Sequence, residues 1–244
     1  MKIDQTAAST IKGLSSQLDA KVQNAGFLEV AAQELATSLH THFKESVALA
    51  RVFLTVPFGD LPKDNQEFVR KLAGGAGAGG QLKDTTPVLS LVGTHGEEDS
   101  WNDRRKSQGH VGIPLISSAF VGAIPMISRL LKELGVPLDW IDSHDSEIIK
   151  KMGGSAGLFF VEDAGSATDT EGRKIIAAQD FVSGHKIKSV FGTGETYTTG
   201  QILVAVLFCR DPFKRTTAEH FPPLASSFKA KTTALVGGGK IFSA

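Results

Sequence analysis

Glu97, Glu98, Asp99, Arg104, Arg105, His95, His110, Trp101 and Asn102 all fall within GTHGEEDSWNDRRKSQGHVGIPL, residues 93–115. Three kinds of chemistry can be built from such a set. In the first, Glu97 or Glu98 orients His95 as a base and His110 is a second acid or base, because imidazole titrates near neutral pH. The spacing gives this little support. A zinc protease places two histidines four apart on a helix, with a glutamate beside the first; here Gly96 interrupts and His110 stands far along the chain.

The second chemistry is recognition. Arginine offers a planar fork to a carboxylate or phosphate, and tryptophan a flat apolar face with one N–H donor. Trp101, Asn102, Arg104 and Arg105 would then line one wall of a pocket. In the third, Asp103 and the glutamates pair with the arginines and hold the loop against its domain. The residue types favour binding over catalysis and leave the structural alternative beside it. The candidate ligand-binding residues are therefore His95, Trp101, Asn102, Arg104, Arg105 and His110, with no catalytic residue and no metal ligand assigned. The competing function is a small hydrolase or metal-dependent enzyme that uses His95 or His110 with a nearby carboxylate.

Other reactive residue types carry less. His40 and His42 form a His-x-His pair on an expected helix, where residues two apart do not share a face. They would be joint metal ligands only if that helix were broken. His144, His185 and His220 are isolated. Cys209, the single cysteine, lies inside the apolar run ILVAVLFC and reads as a small buried hydrophobe; it excludes an internal disulfide and any site of paired cysteines. The tract GGAGAGG follows a helix and lacks the Lys-Ser/Thr pair of a phosphate loop, so it reads as a flexible connection.

Periodicity supplies the elements that must position these residues. Ile11, Leu14, Leu18 and Val22 recur at helical spacing within residues 5–24. The stripe needs a surface to bury against, which is the reason to expect a homodimer. A second helix is expected over 27–43, and NQEFVRKLAG forms a short one. Ser118 is expected to cap the helical run AFVGAIPMISRLLKELG, with Pro125 kinking or splitting it and Gly135 ending it. A last helix runs roughly from Thr216 to Ala234. Apolar, β-branched runs predict strands near 47–56, 87–93, 157–162, 186–192 and 200–209. The turn GETYTTG is too short for a parallel crossover, so the last two strands should pair antiparallel. The expected fold class is α/β in the α+β sense: a central, mainly antiparallel sheet flanked by helices.

LATSLHTHFKESVALARVFLTV is a helix feeding an apolar strand, and IKSVFGTGETYTTGQILVAVLFCRDPF followed by TTAEHFPPLASSFKAKT is a hairpin leading to a closing helix. In this order of elements the chain resembles the GAF family of sensory domains, over roughly residues 27–234 and most specifically over 186–228. The resemblance implies a GAF/PAS-like sheet, a sensory or regulatory role with catalysis only occasional, and frequent dimerisation through terminal helices. The cysteine that carries bilin in phytochrome-type members has no counterpart, since Cys209 lies within a strand. The cyclic-nucleotide pattern of phosphodiesterase members is not readable either, so the ligand and any cofactor stay unassigned. The middle of the chain departs from the pattern by the 93–115 loop and the segment SHDSEIIKKMGG.

The bulk properties are those of a globular, soluble chain. With 244 residues, 41% of them hydrophobic, the chain is long enough and apolar enough to bury a proper core. Its 26 basic and 26 acidic residues are scattered and balance to zero net charge, which argues against a nucleic-acid partner or an anionic membrane surface. The polar start is not a signal peptide, and no apolar run approaches the roughly 20 residues that cross a bilayer. A cytoplasmic protein without membrane insertion is expected. It should have an N-terminal amphipathic helix over 1–26, one GAF-like domain over 27–235 and a flexible tail over 236–244. No kinase, cyclase or DNA-binding segment follows, so its output should pass through a signalling partner protein.

Overall fold

The computed structural model describes residues 1–107, 109–143 and 157–243. His144 and the rest of SHDSEIIKKMGG beyond Ser143 lie outside them. Six strands form one sheet: β1 (Val47–Pro57), β2 (Pro87–Gly96), β3 (Gly112–Pro114), β4 (Gly157–Val161), β5 (Ser189–Thr196) and β6 (Ile202–Cys209). Their order is β3-β2-β1-β6-β5-β4, and every pairing is antiparallel. β1 and β6 hold the centre because their runs are apolar on both faces. The β5–β6 turn is closed by Tyr197 N–H donating to Gln201 O at 2.8 Å, with Gly200 at φ 94°.

Three strand expectations change. β3 has three residues, too few to show alternation, and was not expected. β5 begins at Ser189 and takes in the Gly-Glu-Thr assigned to the turn. β2 continues to Gly96, which makes His95 a strand residue rather than a loop residue.

The helices are α1 (Ala8–Val22), α2 (Leu28–His42), α3 (Lys63–Gly75), α4 (Ser118–Gly122), α5 (Pro125–Glu133), α6 (Asp139–Ser143), α7 (Gln179–Gly184), α8 (Arg215–Ala218) and α9 (Pro222–Gly237). One face of the sheet carries α2 across β1 and β2 and α9 across β5 and β6, with α1 laid over both helices. Gly93 sets how closely α2 seats: a Cβ there would stand 2.4 Å from the backbone of Ala32. The α1 stripe of Ile11, Leu14, Leu18 and Val22 is buried in this helical layer. The surface that motivated a homodimer is thus covered within the chain.

Proline splits the middle helix as expected. α4 ends at Gly122, and α5 starts at Pro125, where a missing N–H costs no hydrogen bond. The cap is Ser117 rather than Ser118: its Oγ accepts from Phe120 N–H at 3.1 Å. Gly135, at φ 82°, closes α5. The tail is fastened where fraying was expected. Leu28 and Glu29 at the start of α2 donate their N–H groups to Lys240 O and Ile241 O, at 2.8 and 3.0 Å, so the tail serves as the cap of that helix. Among the described residues no helix is long and apolar enough to cross a membrane.

The opposite face of the sheet is apolar too, with Leu49, Phe53, Leu89, Val206 and Phe208 in a second core cluster. It is covered by the 97–111 loop, α4 to α6, and the 162–188 connection that carries α7. This irregular layer leaves space above the strands.

Candidate functional site

The first part of the loop, residues 97–107, is held down at several points. Gly96 N–H donates to Asn102 Oδ1 at 2.9 Å, which folds the loop back on β2. A Cβ on Gly96 would lie 2.7 Å from the Trp101 ring, so glycine lets that ring settle on the strand end. Asp103 Oδ1 accepts from Arg105 N–H at 2.9 Å and starts a single 3-10 turn.

That turn delivers both arginines to Glu29 in the first turn of α2. Arg104 is paired with Glu29 through Nε and Nη2, and each residue is 8% exposed. Arg105 reaches Glu29 Oε1 at 3.3 Å and Ser243 Oγ at 3.1 Å, and Ser243 N–H donates to Glu29 Oε1 at 2.8 Å. The Phe242 ring lies 4.8 Å from the Arg104 guanidinium. The two arginines expected to receive an anionic ligand therefore spend their charge on a carboxylate of the protein itself. The partner is not Asp103, Glu97 or Glu98, as the structural alternative had it. Glu97 instead pairs with Arg210 and stands 3.5 Å from His185 Nδ1.

His95 points to the helical face of the sheet. It pairs in register with Ala50, a residue of the helix-side core, and its Nδ1 is 3.4 Å from Thr37 Oγ1 on α2. Its ring is 5.0 Å from that of His40. Desolvation lowers His95, and desolvation with the charges of His95 and Arg210 brings His40 down to about 4. His42 turns away to Phe43, ring centroids 4.8 Å apart, so the His-x-His pair is divided as expected. Among the described residues no group of histidine, cysteine and carboxylate side chains is arranged to hold a metal. Cys209 is buried, and burial pushes its thiol well up.

On the other face lies a cavity of about 370 Å³. Its floor is Leu49, Phe53, Leu89, Val206 and Phe208; α5, residues 175–178 and Phe181 form its walls, and Trp101 and His110 its roof. Trp101 packs on Phe181 and His185, ring centroids 5.7 and 4.7 Å apart. No aspartate or glutamate lines the cavity among the described residues.

The cation in this cavity is Arg51. Strand alternation puts it on the same face of β1 as Phe53, and it is only 8% exposed. Nη1 donates to Gly109 O at 2.8 Å and Nη2 to Ser107 Oγ at 3.1 Å. Nε is buried and has no hydrogen-bond partner among the described residues, and no carboxylate there forms an ion pair with the group. Burial pulls its pKa down to about 10, so it is still a cation at neutral pH. His110 sits above it at φ 54°, accessible as a residue at a cavity rim is. Desolvation, and secondarily the charge of Arg51, lower the His110 pKa.

Of the six residues expected in the site, Trp101 and His110 line the cavity; His95, Asn102, Arg104 and Arg105 do not. Arg51 was missed. Its signal was in plain sight, a charge in the middle of the apolar run VALARVFLTV. His95 and His110 lie on opposite faces of the sheet, so the two do not serve one site as base and second acid. A Gly-x-Ser-x-Gly run does occur at 153–157, but it leads into β4, whereas a nucleophile elbow follows a strand and opens a helix. Ser155 lies outside the described residues. A second cavity of about 250 Å³ at the far end of the sheet, by Thr55, Trp140 and Gln201, is lined by no ionisable side chain among the described residues.

No protein-family model matches the sequence, and no curated protein is similar to it. Among solved structures, the chain is similar to the chromophore-binding domain of an unusual bacteriophytochrome from R. palustris, with a TM-score of 0.48 and 8% identity over 94% of this chain. It spans 63% of that protein's length. It is similar also to a phycoerythrobilin-bound GAF domain from a cyanobacterial phytochrome, with a TM-score of 0.48 and 7% identity, covering 93% of this chain and 97% of that one. The second of these bears the name of the family that the order of elements resembles. The likeness is one of fold and says nothing of what this chain binds.

Proposed function

We propose that this protein is a sensory or regulatory domain that binds a small molecule between the sheet and the 97–111 loop, and passes its bound state to a partner protein in the cytoplasm. The carrying observation is the cavity: about 370 Å³, largely apolar, with Arg51 from a strand and Trp101 and His110 from a loop converging on it. Small-molecule sites have this form, an apolar concavity with a few placed polar groups. The loop that supplies its roof is also the loop that Arg104 and Arg105 fasten to α2 and the tail. A ligand that shifts Trp101 or His110 thereby pulls on the start of α2 and on the chain terminus, which are surfaces a partner can read.

Thermal-shift and native mass-spectrometric binding with a panel of small apolar and amphiphilic compounds tests the reading. Met126 lines the cavity and is only half-buried, so Met126→Trp should fill the space without unfolding the protein. The expected result is a set of stabilising compounds for the native chain, lost in Met126→Trp, with turnover screens flat for both. Binding that is undiminished in a folded Met126→Trp variant would place the ligand elsewhere.

A further inference from the structure

Four charged side chains are buried among the described residues: Glu29, Arg51, Arg104 and Glu195. Three are paired within the protein. Glu29 and Arg104 hold each other, and Glu195 accepts from Lys229 Nζ at 2.7 Å and from Ser226 Oγ. Arg51 is the exception. A buried cation with no counter-ion is costly, and proteins keep one where something else supplies the charge.

We infer that the ligand is a monocarboxylate with a flat, apolar body, its carboxylate held by Arg51 and its body lying among Trp101, Phe181 and Phe208. This rests on the reading of the cavity as the ligand site. The donor count supports the charged end. A guanidinium has five N–H groups; among the described residues Gly109 O and Ser107 Oγ take one each, which leaves three, including the unpartnered Nε–H. Arginine takes a carboxylate in two-pronged fashion through such neighbouring donors. The charge balance selects a monoanion. Arg51 is the one permanently charged residue lining the cavity among those described, and no carboxylate lines it. A phosphate dianion would therefore enter with one negative charge too many. The rings select the body: Phe181 stands edge-on to both Trp101 and Phe208, at 5.7 and 5.2 Å.

Titration calorimetry with 2-naphthoate, its neutral counterpart 2-naphthamide and 2-naphthyl phosphate separates the possibilities, using the full chain and the variants Arg51→Met and Arg51→Lys. The acid should bind the native chain at least tenfold more tightly than the amide. In Arg51→Met that preference should vanish, and Arg51→Lys, which keeps the charge without the fork, should retain only part of it; the lysine variant carries the test if the methionine variant does not fold. Equal binding of acid and amide, unaffected by Arg51→Met, overturns the carboxylate while leaving the cavity as the ligand site. Tighter binding of the phosphate than of the acid overturns the monoanion. If none of the three binds at millimolar concentration, this inference falls, and the cavity reading is decided by the compound panel and Met126→Trp.

Discussion

Arg51 and Arg104 are equally buried, each 8% exposed, and the same loop touches both. Their surroundings differ in one respect. Arg104 meets Glu29 and the Phe242 ring, so its charge is neutralised where it lies. Among the described residues Arg51 meets a backbone carbonyl, a hydroxyl and the apolar cavity. Burial by itself therefore marks neither site as functional. What distinguishes them is whether the protein completes its own charge balance, and the incomplete site is the one that has room for another molecule. Proteins tend to carry such local costs where activity requires them.

The largest expected effects come from exchanging the two roles. Arg104→Met strips Glu29 of its buried partner and should cost about 3 kcal/mol in denaturant unfolding, the low end of the penalty for breaking a buried pair, because Arg105 and Ser243 still hold the carboxylate. Glu29→Leu combined with Arg104→Met should recover much of that loss, because it removes the under-paired carboxylate as well. Arg51→Met should lie within about 1 kcal/mol of the native chain or above it, since it deletes a charge that no carboxylate among the described residues pairs with. Equal losses from Arg51→Met and Arg104→Met would break the comparison.

A smaller loss tests the platform on which Glu29 stands. Gly93→Ala forces a methyl to within 2.4 Å of the Ala32 backbone, so α2 must lift from β2 or β2 must bend. Overpacking of this kind costs about 1–3 kcal/mol. Crosslinking or hydrogen exchange at α2 should show the displacement reaching the Glu29–Arg104 contact. A variant with native stability and native exchange would mean that the lock does not depend on that close approach.

Ending the chain after Gly239 should cost somewhat less, about 1–2 kcal/mol, the scale of a lost helix cap and a hydrogen bond to a charged group. The deletion removes the carbonyls that receive Leu28 and Glu29 N–H, together with Ser243 at Glu29. Thermal melting checks it. Because the cavity lies on the other face, its ligand response should survive; loss of binding at unchanged stability would show that the tail serves the site rather than the lock.

The sheet and its flanking helices were legible because their signals are local. Apolar β-branched runs marked five of the six strands, the short turn fixed the β5–β6 pairing, and Pro125 divided the helix it interrupts. β3 gave no such signal with three residues. The lock was illegible for a different reason: Glu29 and Arg104 are 75 positions apart, and nothing in the spacing of either announces the other. The tail looked loose because GGGKIF offers no helical or strand pattern, yet it caps α2 with two backbone carbonyls, which leave no trace in side-chain type. Arg51 was legible and passed over. A charge at mid-strand in VALARVFLTV is compatible with burial only if something pairs with it, and nothing nearby in sequence does.

The smallest effect concerns acid. On the helical face, His40 from α2 faces His95 from β2, with Arg210 and its partner Glu97 close by, and His40 is brought down to about 4. A histidine whose folded pKa lies below its unfolded value of about 6.5 takes up its proton more readily when unfolded. Stability should therefore be whole above pH 6.5 and decline as the pH falls toward 4. His40 is only half-buried, so solvent screening reduces the loss, and the lowered His95 adds to it in the same direction. His40→Leu should flatten part of the slope between pH 6.5 and 4, measured by urea midpoints at several pH values. Arg51→Met should leave this helix-face contribution in place, because the two groups lie on opposite sides of the sheet. If Arg51→Met flattens the slope and His40→Leu does not, the acid response belongs to the cavity through His110, and the separation of a structural face from a binding face fails.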